Sequence, residues 1–325
     1  MQHEGINYSP EREQVMDHLI IEEFPSLQSP IMVVSFSGWP DAQEAATGAL
    51  RHLARQLPTK KFAVIDPEEF YVFTRIRPQI GNNDYGEREV RWPANEFSYW
   101  HDDSSERDVL LFTGVEPQLK WRTYAATIVD VAIQHNVEMV IVLGSLLDGI
   151  PHTREPRVTG SANVNNVEEL MEQGALQPSQ YEGPTGITSA LMEECARNGV
   201  KYTSLWGHAP HYLQTSPNPR VSIALVKQIA SVLGLDINLD ELEESCEPYD
   251  RRVLRTIATD VEAVNYIQGL EEKYDQALTM RFEGATPDEL PSSDVVIEEL
   301  EAFFRENNPG DDGESSGIGD LGIRS

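Results

Sequence analysis

The run Ile31-Met32-Val33-Val34-Ser35-Phe36, followed at once by Ser37-Gly38-Trp39-Pro40-Asp41, constrains this chain more than any other stretch. So short and nearly continuous an apolar run, rich in β-branched residues, reads as a strand buried on both faces, as a parallel sheet requires. Asp41 followed by Glu44 is a capping-box pattern, so the spacing predicts a helix from there through Ala45, Ala46, Leu50, Leu53, Ala54 and Leu57. Strand, glycine turn and helix form the first half of a βαβ unit. Open α/β sheets bind their ligands at such strand ends. Gly38, Trp39 and Asp41 are therefore candidate functional residues, and the competing reading is a tight turn with Trp39 as a lid on the core.

The same rhythm recurs. Lys61–Asp66 and Glu69–Thr74 read as strands separated by Pro67. From Arg77 to Ser105 the chain changes character, with weak strand candidates at Glu89–Trp92 and Glu96–Trp100 that suggest a hairpin beside the main sheet. Asp108–Thr113 is a strand, Gly114-Val115-Glu116-Pro117 its turn, and Trp121–His135 a helix with Tyr124, Ile128, Val131 and Ala132 on one face. Met139–Leu143 is the most hydrophobic strand and ends in Gly144-Ser145. After a long loop from Asp148 to Pro156 come a strand at Arg157–Ala162 and a short helix at Asn166–Gln173. A helix at Thr188–Arg197 and a last strand at Val200–Trp206 follow, then a helix at Arg220–Leu233 that Gly234 stops. Before all of these, Val15–Glu23 fits an edge strand or a short helix. The pattern is α/β, with a mainly parallel sheet.

Strands cease after Asp236. Arg252–Leu278 carries apolar residues at steps of three and four, and a further helix capped by Ser292 or Ser293 presents Val296, Ile297, Leu300, Phe303 and Phe304. Residues 236–325 hold 24 Asp and Glu against 7 Lys and Arg, so −17 of the chain's net −29 lies there. The expected organisation is an α/β domain over 1–235, an acidic helical domain over 236–307 and a disordered tail over 308–325. A chain of this charge argues against nucleic acid or an anionic membrane as partner. No stretch approaches the roughly 20 apolar residues of a membrane helix. The lone Cys195 and Cys246 fit a reducing compartment, and the expected location is cytoplasmic.

Enzyme signatures are sparse: there is no Gly-x-Ser-x-Gly, no dinucleotide fingerprint and no P-loop. Gly183-Pro184-Thr185-Gly186-Ile187-Thr188-Ser189 at a helix start could offer backbone N–H groups to an anion, or be an ordinary N-cap by Thr185 or Thr188. His208 and His211 with Asp148 and His152 could form an acid–base or metal site, against the plainer reading of loop histidines. Asp41 and Glu116 follow separate strands and could meet as paired carboxylates, or serve as helix caps.

Ser35-Phe-Ser-Gly38-Trp-Pro-Asp41, Thr113-Gly-Val-Glu-Pro117, Leu143-Gly-Ser-Leu-Leu-Asp148-Gly-Ile-Pro-His152, Gly183-Pro-Thr-Gly-Ile187 and Leu205-Trp-Gly-His-Ala-Pro-His-Tyr212 stand in order along the chain. Together they resemble the proteasome assembly chaperone family in its actinobacterial branch, over roughly Ile20–Ile237, with a C-terminal helical extension. The resemblance implies a three-layer α/β/α sandwich akin to phosphorylases and hydrolases without their catalytic residues, followed by a small all-α domain. It also implies a homo-oligomer, with a trimer favoured over a dimer, and a protein partner such as proteasome subunits or assembly intermediates. Some relatives dock through a C-terminal hydrophobic-Tyr-X ending, and the resemblance does not extend to this chain's Gly322-Ile323-Arg324-Ser325. The expectation is an assembly or binding protein with no cofactor and no metal. The alternative is a phosphorylase- or nucleosidase-like enzyme that binds a small anionic or nucleoside-like ligand at the strand ends. Gly38, Trp39, Asp41, Gly114, Glu116, Gly144, Asp148, Thr185 and His208 are the candidate surface under either reading.

Overall fold

The computed structural model describes residues 18–83, 85–162, 177–178, 183–257 and 261–282. The helices expected at Asn166–Gln173 and after Ser293, and the expected tail, lie outside these residues. By contacts the chain divides into a unit of residues 1–271 and a unit of residues 272–325.

The first unit is built on a nine-stranded sheet. At its centre run four parallel strands in the order β7 (Val109–Val115), β2 (Ile31–Ser37), β8 (Met139–Asp148) and β11 (Lys201–Pro210). Beyond β7 lie β6 (Glu96–Trp100), β3 (Lys60–Ile65) and the edge strand β1 (Leu19–Ile21), each antiparallel to its neighbour. Beyond β11 lies β9 (Val158–Ala162), antiparallel to it, followed by β10 (Gln177–Pro178). Residues of β2 alternate between the two faces, and both faces are covered, which is why the run is nearly continuously apolar. Ile31 and Val33 join the core under α1 (Ala45–Gln56) and α4 (Pro219–Leu233). Met32, Val34 and Phe36 join the core under α2 (Trp121–Gln134) and α3 (Ile187–Arg197). This is a three-layer α/β/α sandwich with a mainly parallel centre. Helix α5 (Asp240–Ile257) buries Leu242 against the first of these cores and Tyr249 and Val253 in a small cluster with Leu213. Helix α6 (Val261–Phe282) contributes the described residues of the second unit.

Several expectations change. Glu69–Thr74 is no strand: Phe70 and Tyr71 are buried, but their segment turns, with Phe70 N–H donating to the Pro67 carbonyl (3.1 Å) and the Phe70 carbonyl accepting from Gln118 and Leu119. Its apolar spacing reflects plugs into the core rather than a ladder. Glu89–Trp92 and Glu96–Trp100 do not form a hairpin together. β5 (Arg88–Arg91) pairs with β4 (Gln79–Asn82) as a separate two-stranded sheet, and β6 joins the main one. The pattern seen at Arg252–Leu278 is divided between α5 and α6, with residues 258–260 outside the description.

The capping box also fails. A 3-10 turn at Ala42–Glu44 precedes α1, with Gln43 (φ 53°) and Glu44 (φ 52°) in the left-handed region, so Glu44 cannot reach back. Asp41 instead reaches forward over the turn, its Oδ1 accepting from the amides of Ala46 (2.9 Å) and Thr47 (3.1 Å) and its Oδ2 from the Thr47 hydroxyl (2.5 Å).

Strands β8 and β11 run past the glycines expected to end them, paired from Met139↔Lys201 to Asp148↔Pro210. Gly144 sits opposite Trp206, where a Cβ would lie 2.6 Å from the indole ring, and a Cβ on Gly207 would lie 2.5 Å from Val221 of α4. These glycines are places of close approach inside strands, not turns.

Candidate functional site

The candidate residues fall into two groups at the C-terminal ends of the parallel strands. The first gathers where β2 and β7 end. Gly38 turns with φ +113°, a conformation that favours glycine. The Glu116 amide donates to the Ser37 carbonyl (2.9 Å), which holds Glu116 beside this turn. The Glu116 Oε1 then accepts the Ile187 amide (3.1 Å) at the start of α3, so the acceptor at this helix N-terminus is a side chain 71 residues away. Gly186, the N-cap, has no room for a side chain: a Cβ would meet Glu116 Oε1 at 2.6 Å and the Trp39 ring at 3.1 Å. Neither Thr185 nor Thr188 caps the helix, and the Thr185 hydroxyl pairs with that of Ser189. At this helix start the Ile187 amide is thus taken by a carboxylate of the chain itself. Trp39, which packs at this corner, is 59% exposed. Gly114 lies within β7, packed against Phe112, Tyr124 and Phe36.

Asp41 belongs to neither a pair with Glu116 nor a free surface. It caps α1, and Ser145 anchors the same turn through its amide to the Pro40 carbonyl and its hydroxyl to the Ala42 carbonyl (both 2.9 Å). Burial pushes its carboxyl up from the ordinary range, with the Thr47 hydroxyl and amides pulling against that shift.

The second group lies where β8 and β11 end. Asp148 Oδ2 binds His208 Nδ1 (2.6 Å) and Arg157 Nη2 (2.6 Å), and its Oδ1 accepts the Gly149 amide (2.7 Å). The other nitrogen of His208, Nε2, meets the Thr159 hydroxyl at 2.9 Å. Burial pulls the His208 pKa down, so the ring is neutral at pH 7: Nδ1–H donates to Asp148 and Nε2 accepts from Thr159. Burial alone would raise the Asp148 pKa, but its bond to His208 and the Arg157 guanidinium outweigh it and hold the carboxyl at about 2. Carboxylate, imidazole and hydroxyl are thus in series, yet all three residues are buried and the carboxylate is also held by an arginine. The arrangement locks β9 to β11, because Thr159 and His208 come from those adjacent strands.

His211 and His152 are engaged separately. His211 Nδ1 meets the Asp148 carbonyl at 3.0 Å, and His152 Nδ1 lies 2.8 Å from the Tyr212 hydroxyl. Among the described residues no group of three or more His, Cys, Asp or Glu could hold a metal ion. Thr159 had no sequence signal, since its partner His208 lies 49 residues further along the chain.

No helix among the described residues is long and apolar enough to cross a membrane. A search of curated proteins returned no match. The family model for the PAC2 family matches residues 35–257. Among solved structures, a PAC2 family protein from Streptomyces avermitilis is 35% identical, with a TM-score of 0.67, covering 73% of this chain and 99% of its own. A Mycobacterium tuberculosis proteasome-assembly chaperone homologue is 37% identical, with a TM-score of 0.65 and the same coverage of 73% and 99%. An archaeal proteasome activator from Pyrococcus furiosus, 21% identical over 74% of this chain and 98% of its own, shares the fold with a TM-score of 0.59. The family model's match runs from β2 to α5, through every residue of the two groups described above, and the chain belongs to the PAC2 family.

Proposed function

We propose that this chain is a non-enzymatic, cytoplasmic protein-binding factor that acts in proteasome assembly, and that it meets its partner at the corner formed by Gly38, Trp39, Glu116 and Thr185. The observation that carries the reading is how that corner is filled. In an enzyme of the phosphorylase type the start of α3 would be kept open for an anionic substrate, because unpaired helix N–H groups are its natural receptor. Here Glu116 occupies it, and the group left outside is an aromatic ring of large apolar area. A half-exposed tryptophan over a rigid, internally satisfied base is the kind of residue that anchors a protein interface. The 37%-identical relative named as a proteasome-assembly chaperone homologue supports a partner of that class. The same reading makes the chain a homo-oligomer, with Leu254 of α5 and Val261 of α6, both exposed, as apolar surface for contact between copies.

The test is a tagged full chain in native lysate of its own organism, probed for proteasome subunits, with Trp39→Ala alongside. Wild type should retain proteasome subunits and the variant should lose at least tenfold of that signal. Absence of proteasome subunits from the wild-type eluate overturns the partner; equal retention by Trp39→Ala overturns the surface.

A further inference from the structure

A small pocket opens between the loop that follows β8, the end of β11, the first turn of α4 and helix α5. His152, Arg154, His208, Asn218, Arg220 and Tyr249 contribute its polar lining, and Ile150, Val221 and prolines the rest. Its interior offers about 10 Å³ to a water-sized guest, room for about one oxygen atom of a ligand or one water. The chain carries 54 acidic and 25 basic residues, yet the lining contains two arginines and two histidines and no aspartate or glutamate, although Arg154 is paired with Glu271 outside it.

The donors converge for reasons visible in the fold. The pocket is lined by Asn218, Arg220 and Val221, the N-terminal turn of the fifteen-residue helix α4, whose dipole favours negative charge. Within that turn the Asn218 amide goes to the Gln43 carbonyl, Pro219 has none, and the Val221 and Ser222 amides go to Asn218. The Arg220 amide is the donor these bonds leave over. Two of the five guanidinium donors of Arg220 go to Asp250. The Tyr212 hydroxyl accepts the His152 amide and lies 2.8 Å from His152 Nδ1.

The independent observation is Tyr249. It is 1% exposed, it lines the pocket, and its hydroxyl is buried without any hydrogen-bond partner. Burial also raises its pKa, so the group is a protonated donor at any physiological pH. A buried hydroxyl left unpaired is costly, and native structures that retain one generally supply its partner from outside the chain.

We propose that this pocket binds a small oxyanion, a carboxylate or phosphate group, with one oxygen accepting the Tyr249 hydroxyl and the charge facing the start of α4 and the two arginines. The site is separate from the Trp39 corner and does not depend on the assembly reading. It takes an anion from outside at one helix start, where Glu116 supplies one from within at the other.

The test is thermal unfolding of the full chain titrated with inorganic phosphate, with acetate, and with chloride at matched ionic strength. Wild type should show a saturable rise in Tm in the millimolar range with phosphate or acetate and none with chloride, and whichever anion acts identifies the source. Tyr249→Phe keeps the ring and should unfold at the same temperature or higher without anion, while binding the anion at least tenfold more weakly. Arg220→Gln should weaken binding as well, and its reference is its own Tm without anion. The proposal fails if no anion gives a saturable shift, which would assign the pocket to a water, or if both variants respond as wild type does.

Discussion

Helices α3 and α4 both begin at the C-terminal rim of the parallel strands, and their first turns are satisfied in opposite ways. At α3 the carboxylate of Glu116, just past the end of β7, closes the helix start and leaves an indole ring outside. At α4 the cap is the neutral Asn218, and arginines, histidines and an unpartnered tyrosine hydroxyl surround the turn. The Asp148–His208–Thr159 chain ties three adjacent strands together, whereas Trp39 is 59% exposed. The difference teaches that one rim of one sheet can carry a surface built to be touched and a buried polar network built to hold strands in place. Substitutions separate the two because the first should move binding and the second stability.

The largest effect is expected at the network. Asp148→Ala leaves the Arg157 guanidinium and the His208 imidazole without their acceptor and should cost about 3 kcal/mol, read by chemical denaturation with unchanged slope. The pH dependence should follow the same residues. Asp148 is held at about 2 against an ordinary 3.8, so the unfolded chain binds its proton first; this stability is present above pH ~3.8 and is lost as pH falls toward 2. His208, depressed by burial, acts in the same direction at higher pH: its contribution is complete above its ordinary 6.5 and declines as pH falls below it. Asp41, whose pKa is raised, opposes both, because the folded chain binds its proton more tightly than the unfolded chain. A wild-type Tm that stays flat from pH 7 to about 5, or an acid-range Tm profile that Asp148→Ala leaves unaltered, would break the distinction between the regions.

Gly207→Ala should come next. Its methyl group would enter the space of Val221 and Leu225 and press α4 off β11, for about 2 kcal/mol of destabilisation. Glu116→Ala should cost about 1 kcal/mol, the usual value of a lost helix cap. It also sharpens the comparison: with its own carboxylate gone, the start of α3 should become an anion site, so phosphate should raise the Tm of this variant more than that of wild type. Trp39→Ala should be the smallest, within about 0.5 kcal/mol of wild type, as for a surface substitution away from caps and core. A loss of about 3–5 kcal/mol there would instead mark Trp39 as a core residue.

Legibility tracked the range of the interaction. The strand Ile31–Ser37, helix α2 with its Tyr124, Ile128, Val131 and Ala132 stripe, and helix α4 with its stop at Gly234 were visible because burial on a regular element imposes a period on adjacent residues. Phe70 and Tyr71 misled because an irregular turn can plug a core with the same residue types as a strand. Cys195 is buried, and burial pushes its thiol up to about 12.

The sequence by itself determined the α/β class, the apolar strands of the parallel centre and, through motifs at the strand ends, the family, since each of these is written in neighbouring residues. Only the tertiary structure decided that β8 and β11 continue through Gly144 and Gly207, because what ends or extends a strand there is the ring of Trp206 and the flank of α4. It alone decided that Glu116 closes α3 from 71 residues away and that Asp148 meets His208 from 60 away. A hydrogen bond depends on position to within a few tenths of an ångström, and that precision comes from the packed sheet rather than from spacing along the chain.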